Sequence, residues 1–423
     1  MNPELIRKID RYIGSGICLF LTFVCRLMGK NPFHTPHHEP VQKILIIKLI
    51  EQGATVLAYP AIHRAIRMVG KQNVFFCVFE ENREILTILD MVPPENIFAI
   101  RKDHFPLFLW DIGKSLVRIR RLGIDATVDM EFFARASAIF SYLTGAKRRV
   151  GLHRFTSEAP YRGDLMTHRI PYNPYLHISQ VYALLVESLT IEPYETPLLK
   201  IPLIALDGCS PKFSPTEELI SAVEKMLSRG FGQKPASPLI LLNPNASDML
   251  PLRKWPRRNF ILLAEKILDG HADALLAVTG SPAEEAEGES ICRDINSSRV
   301  ISLAGATSLS ELITLYTLAD VLVTNDSGPA HFASLTDICA IVLYGPETPV
   351  LFGTAGKRSH ALSAKLACSP CVSALNHRFS PCTNNRCMQL ITVKQVYEQV
   401  RSCLESRQTG IKQPPGIPRS ARF

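Results

Sequence analysis

Apolar positions along this chain follow two alternating rhythms. From Val41 to about Leu152, short apolar runs such as "KILIIKL", "VFFCVF" and "ATVDM" read as strands. Between them lie stretches such as "FPLFLWDIGKSLVRIRRLG", whose apolar residues recur at three- and four-residue spacing and read as helices. That alternation predicts a parallel sheet with helices on both faces. A second alternating block begins near Pro238, with strands at "LILLNP", "ALLAVTG", "RVISL", "VLVTND" and "CAIVLYG" and helices expected at 257–268, 283–295 and 309–319. Between the blocks come a Pro-, Tyr- and His-rich stretch, a helix at 178–189, and the proline-rich "EPYETPLLKIPLIALDGCSPKFSP", which reads as the inter-domain connection.

The expected organisation is a membrane-proximal segment at 1–40, α/β domains at 41–200 and 237–392, a last helix at 393–406 and a disordered tail at 407–423. The N-terminal segment "RKIDRYIGSGICLFLTFVCRLMGKNP" has an apolar core at 13–24 flanked by Arg7, Lys8, Arg11, Arg26 and Lys30. It is short for a bilayer span. Three readings stay open: a helix lying on a membrane surface on the cytoplasmic side, a helix packed on the protein body, and an uncleaved short anchor.

Composition narrows the class. A hydrophobic share of 46% and a charged share of 20% over 423 residues describe a globular protein, not a disordered one. The net charge of +8 comes without a block of like charges or an aromatic–basic repeat, so nucleic acid is not expected as a partner. Most of the 11 cysteines stand alone in apolar segments, as Cys77 and Cys339 do, and read as buried thiols in a reducing compartment. Cys368, Cys371, Cys382 and Cys387 cluster in "CSPCVSALNHRFSPCTNNRC", with His377 among them. A structural zinc, free thiols and disulfides all fit that spacing.

The candidate chemistry lies at strand ends, where open α/β sheets bind ligands. In "VLVTNDSGPAHFAS", Asn325, Asp326, Ser327 and Gly328 follow a strand, Pro329 opens a helix, and His331 lies one turn in. Free N–H groups there suit an anion, and Asp326 suits ligand hydroxyls; the plainer reading is an ordinary N-cap. In "LLNPNASDMLPLRKWP", Asn245, Ser247, Arg253 and Lys254 form a polar loop whose cations could neutralise a diphosphate. In "VTGSPAEEAEGES", Gly280 ends a strand, and Glu284 could take ribose hydroxyls or complement a helix dipole. In the first block, "IIKLIEQGATVLAYPAI" is a strand, a turn carrying Glu51, Gly53 and Ala54, and a helix; "DME" puts Asp129 and Glu131 at another strand end.

The order and wording of these pieces, with the D-S-G-P-x-H signature and "IVLYGPETP", resemble glycosyltransferase family 9, the heptosyltransferases of lipopolysaccharide core assembly. The resemblance runs from about Val41 to Val400 and is strongest from Leu239 to Gly353. It implies a GT-B architecture: two Rossmann-like domains facing an inter-domain cleft, with the C-terminal helix crossing back to the first. It implies a nucleotide-sugar donor (an ADP- or UDP-sugar) held by Lys254, Glu284, Asp326, Ser327, Gly328 and His331. It also implies a lipid-linked glycan acceptor in the N-terminal domain, and a place in the cytoplasm at the inner-membrane surface. Inverting transfer of a heptose-like sugar without a metal is the expected reaction; a GT-B sugar-nucleotide epimerase and a non-catalytic nucleotide-sugar binder are the alternatives. The family keeps a G-D pair in the first loop with Asp as the proposed base, whereas this chain has Gly53-Ala54. Three answers stay open: Glu51 replaces it, Glu131 or Asp129 does, or the donor site works without transfer.

Overall fold

The computed structural model describes residues 8–27, 39–153, 161–196, 198–206, 211–232, 238–246, 250–376 and 378–408. It divides into two compact units, Met1–Cys209 and Ser210–Phe423.

The first unit carries strands β1 (Ile44–Ile47), β2 (Val74–Phe79), β3 (Ile97–Ile100), β4 (Ala126–Asp129), β5 (Arg148–His153) and β6 (His168–Pro171). They pair in parallel in the order β3-β2-β1-β4-β5-β6. All four residues of β1 are buried, as expected for a central strand covered on both faces. On one face, Leu45, Ile47, Phe75, Cys77, Phe98 and Ile100 pack against Phe108, Ile112, Leu116 and Ile119 of the helix Phe105–Leu122. Gly123, at φ +64°, ends that helix in the left-handed conformation that a residue without Cβ adopts freely. The chain builds β1, β2 and β3 outward, then returns to lay β4 on the other side of β1. The strand order therefore reverses between β1 and β4.

The second unit repeats the plan. Strands β7 (Leu239–Asn243), β8 (Leu275–Val278), β9 (Val300–Ser302), β10 (Val321–Asn325), β11 (Cys339–Tyr344) and β12 (Ser359–Ser363) pair in parallel in the order β12-β11-β10-β7-β8-β9. The reversal falls between β7 and β10. Trp255 is buried there, edge-on to Phe260 at 4.9 Å between ring centroids, with its indole N–H donated to the Ile391 carbonyl at 2.9 Å.

Beyond the proline-rich segment, the helix Glu217–Phe231 packs on the helix Leu309–Leu318, and the second unit starts at Ser210 rather than 237. The last helix is Val393–Gln408. Val396, Val400, Cys403 and Leu404 lie in the core of the second unit, and Cys403 forms a disulfide with Cys339. Cys339 is therefore not the free thiol its apolar setting suggests; Cys77 is, and burial pushes its thiol pKa up. Of the expected tail at 407–423, residues 407 and 408 belong to the last helix and 409–423 lie outside the described residues.

The helix Ser15–Leu27 packs on the first unit with one face only. Cys18, Thr22 and Cys25 are buried. Thr22 Oγ1 accepts the Asp164 N–H at 2.9 Å, and Arg26 pairs with Asp164 at 2.6 Å. Asp10, just before the helix, accepts the backbone N–H groups of Arg135 and Ala136 at 3.0 and 2.9 Å and so caps the helix Arg135–Leu143. The opposite face leaves Phe20 and Phe23 exposed at 64% and 59%, with Ile13, Leu19 and Leu27 beside them. Among the described residues, no helix is long and apolar enough to cross a membrane. Arg7 and Lys30 lie outside the described residues.

Candidate functional site

Each sheet places candidate residues at the carboxyl ends of strands at or beside its reversal point, where open α/β sheets hold ligands.

In the first unit, the register sets Ile47 of β1 beside Asp129 of β4. Glu131, two residues beyond, reaches back over the end of β1. Its Oε1 accepts the backbone N–H groups of Leu49 and Ile50 at 2.7 and 3.2 Å and the Lys48 ammonium at 3.1 Å. Lys48 also donates to the Ile50 carbonyl at 2.7 Å. Glu131 is thus the clamp on the loop that carries Glu51. Glu51 follows at once, half-buried, with φ +70°, a left-handed conformation rare for a non-glycine residue. Its carbonyl accepts Ala54 N–H at 2.9 Å and starts the helix Gln52–Leu57. Ala54 stands half-buried in that first turn.

Asp129 is sealed. It has no exposure, is paired with Arg162, and accepts the Ser137 hydroxyl at 2.8 Å and the Glu131 N–H at 3.0 Å. Burial pushes its carboxyl pKa up, and the Arg162 guanidinium opposes that. Of the three carboxylates expected as bases, the fold brings Glu51 and Glu131 to one loop and turns Asp129 inward.

In the second unit, Asn325 is structural. Its Oδ1 accepts Trp255 N–H at 3.0 Å, and its Nδ2 donates to the carbonyls of Pro244 and Asn245 at 2.9 and 3.2 Å. It thereby ties the loop after β7 to the end of β10. That leaves the Asn245 side chain buried, with no hydrogen-bond partner for either amide atom among the described residues. Gly280, at the end of β8, faces it. A Cβ there would stand 3.1 Å from Asn245 Nδ2 and 3.2 Å from Glu284 Oε2, so only glycine fits without displacement. Glu284 is occupied by a capping box, accepting Ser281 N–H at 2.7 Å and the Ser281 hydroxyl at 2.9 Å. The plainer expectation for Glu284, a helix-terminus role, is the one its contacts match.

Arg253 and Lys254, expected to act together on a diphosphate, diverge. Arg253 is buried, with Nη1 3.5 Å from Glu347 Oε2, whereas Lys254 is half-buried, with Nζ 4.0 Å from Glu287. Ser327 stands at the N-cap of the helix Gly328–Ala333, and its hydroxyl donates to the Asn325 carbonyl at 3.3 Å. That helix has six residues, so its dipole is small, and His331 is buried within it. Ser247 lies outside the described residues.

Asp326 is buried against Glu347, a residue the strand-end reasoning did not single out. Glu347 follows β11, the strand beside β10, so its position in "YGPETP" carried the signal. It accepts Arg378 Nε on Oε1 at 2.9 Å and Arg378 Nη2 on Oε2 at 3.0 Å. Arg378 comes from an irregular loop and had no signal in the pattern. Burial pushes the Asp326 carboxyl well above the usual range; Glu347 pushes the same way, against Arg253 and Arg378.

The cysteine loop does not gather into a zinc tetrad. Its four cysteines are free, Cys368 is exposed, Cys371 Sγ accepts the Ser380 hydroxyl at 3.3 Å, and Cys382 Sγ donates to the Asn384 carbonyl at 3.2 Å. Among the described residues, the set of three metal-ligand atoms within 4.8 Å of one another is Cys339, His360 and Cys403, and two of these form the disulfide. The four loop thiols as placed do not fit a tetrahedral zinc. His377 lies outside the described residues.

Two parallel six-stranded α/β units, each with polar loops at its reversal point, define the two-domain GT-B class. The model of glycosyltransferase family 9 (heptosyltransferase) matches residues 117–379, and the chain belongs to that family. Lipopolysaccharide heptosyltransferase 2 of Salmonella typhimurium is 27% identical over 171 residues, 40% of this chain and 47% of that protein. Lipooligosaccharide heptosyltransferase 2 of Haemophilus influenzae is 35% identical over 116 residues, 26% of this chain and 32% of that protein. The chain thus spans about half, or less, of the length of these curated relatives. The solved structure of Escherichia coli ADP-heptose lps heptosyltransferase II superposes with a TM-score of 0.65 at 19% identity, over 87% of this chain and 100% of that one, which shows the shared fold.

Proposed function

We propose that this chain transfers a heptose-like sugar from a nucleoside-diphosphate sugar to a lipopolysaccharide-core or other lipid-linked acceptor. ADP-heptose is the favoured donor, because it is named for the E. coli structural neighbour. The observation that carries this reading is the convergence of Asn245, Gly280 and Asp326 on the carboxyl ends of β7, β8 and β10, beside the reversal point of the second sheet. Asn245 brings an unsatisfied buried amide to that edge, and Gly280 keeps the space open. Ser327, Gly328 and His331 line the same turn, and Lys254 supplies a cation for the departing diphosphate. Arg253 and Asn325 act by holding the loop.

Glu51 is the proposed base. It takes the proton of the acceptor hydroxyl as that oxygen attacks the sugar. One displacement by one nucleophile inverts the anomeric centre. Glu131 positions the loop, and Asp129 stabilises the strand end behind it. The sequence lacks a D-x-D pair beside the phosphate loop, and the proposed leaving-group stabilisation uses protein cations.

The exposed apolar face of the helix Ser15–Leu27, with Lys8, Arg11 and Arg26 close by in sequence, supports a peripheral place on the cytoplasmic face of the inner membrane, near a lipid-linked acceptor. Incubation with a panel of ADP- and UDP-sugars, with and without membrane lipid extract, tests the reaction. Nucleotide release and labelled lipid that appear only with extract support transfer. Release without any acceptor identifies an epimerase, and donor binding without release identifies a non-catalytic binder; either overturns it.

A further inference from the structure

The helix Phe105–Leu122 packs Ile112, Leu116 and Ile119 on the first sheet, yet its outward face is also apolar. Phe105, Leu109, Trp110 and Val117 are exposed at 61%, 52%, 68% and 51%. Trp110, Lys114, Val117 and Arg121 follow one another at four- and three-residue spacing, so they share one outward stripe, and both cations are exposed. The one acid in the helix, Asp111, is buried and paired with Arg101 at 2.7 Å. The stripe is therefore apolar and positive, and a grouped set of exposed aromatics and aliphatics marks an interaction surface. The helix also starts beside the loop that carries Glu51. It follows β3, and the loops after β1, β2 and β3 are joined. Gln52 Nε2 donates to the Glu81 carbonyl at 2.7 Å, and the Glu81 carboxylate pairs with Lys102.

We propose, resting on the peripheral membrane place given above, that this stripe is a second lipid contact of the first unit and that its partner is an anionic bilayer surface. Phe105, Leu109 and Trp110 enter the headgroup region, where a ring with an apolar body and a polar tip finds both kinds of neighbour. Lys114 and Arg121 meet the lipid phosphates. The cations favour lipid over a second copy of this chain. In a two-fold pair the same patch meets itself, which would bring Lys114 and Arg121 against their own kind. The joined loops then hold Glu51 at the membrane surface, where the hydroxyl of a lipid-linked acceptor arrives without leaving the bilayer. The helix Ser15–Leu27 belongs to the same unit, so the two contacts reinforce each other.

The chain has two tryptophans, and Trp255 is 1% exposed, so a lipid-induced change in emission reads Trp110. Full-length protein is mixed with vesicles of phosphatidylethanolamine and phosphatidylglycerol, or of phosphatidylcholine alone. With the anionic vesicles, Trp110 emission is expected to shift to the blue and to be quenched by nitroxide-labelled lipid. Trp110→Phe should still sediment with those vesicles and lose both signals. Leu109→Glu, which puts an acid at an exposed position, is expected to weaken sedimentation at least about tenfold with an unchanged melting temperature. Sedimentation of the wild type with no change at Trp110 overturns the second contact and leaves the helix Ser15–Leu27 as the membrane surface. No sedimentation of the wild type overturns the peripheral place and the second contact together. Blue-shifted emission without lipid that moves to the red on dilution assigns the stripe to a second copy and overturns the lipid partner. Equal quenching in phosphatidylcholine vesicles overturns the anionic surface.

Discussion

Lys48 and Glu131 meet at the reversal point of the first sheet, Nζ to Oε1 at 3.1 Å, with side chains 1% and 8% exposed. The pair joins the ends of β1 and β4 and sets the conformation of the next residues, up to Glu51 at φ +70°. Removing one partner leaves the other's charge buried without its counter-ion. Lys48→Met is expected to lower unfolding stability by about 3 kcal/mol, with a smaller loss when Glu131→Gln is added. Denaturant titration of the two single variants and the double variant checks this, and additive losses would refute the coupling.

His153 ends β5, and burial lowers its pKa to about 4, with Arg169 and Arg162 pushing the same way and Asp164 opposing. The unfolded imidazole, near 6.5, binds its proton first as pH falls. Stability contributed by this neutral histidine is therefore present above about pH 6.5 and lost progressively down to about pH 4. Thermal melts across that range should show a slope that flattens in His153→Gln.

The disulfide ties β11 to the last helix across 64 residues of chain. Closing a loop of that length restricts the unfolded ensemble by about 4 kcal/mol. Oxidised Cys403→Ser should unfold at lower denaturant than oxidised wild type, and a thiol reductant should bring the two together.

Phe20 and Phe23 lie on the exposed face of the helix Ser15–Leu27. If that face meets lipid, replacing both with serine should weaken sedimentation with anionic vesicles at least about tenfold, since each ring buries apolar area worth about 2 kcal/mol. Because both rings point away from the protein body, the melting temperature should stay within a few degrees of wild type.

Much of the plan was legible because the central strands are continuous apolar runs: "ILII" and "VFFCVF" read directly as β1 and β2. β5 and β6 were not, since "RRVGLH" and "HRIP" carry charged and polar residues whose partners come from other parts of the chain. Arg149, for instance, donates to the Leu165 and Ala146 carbonyls. β12 is an edge strand, half-exposed and weakly apolar. At the sites, the strand-end rule found Asp326 and Glu131 but could not tell Asp129 from Glu131, because their difference depends on Arg162, 33 residues from Asp129. Glu347 was missed for the same reason: its role depends on Arg253 and Arg378, which only the fold brings to it.

In the proposed reaction Glu51 does the work of the carboxylate that Ala54 lacks. Wild type and Glu51→Gln, each given an ADP-sugar that wild type transfers and a lipid acceptor extract, should differ in the rate of lipid-dependent ADP release. A loss of about a hundredfold or more is expected in Glu51→Gln, with ADP affinity and melting temperature unchanged. Transfer at the wild-type rate by Glu51→Gln would contradict it.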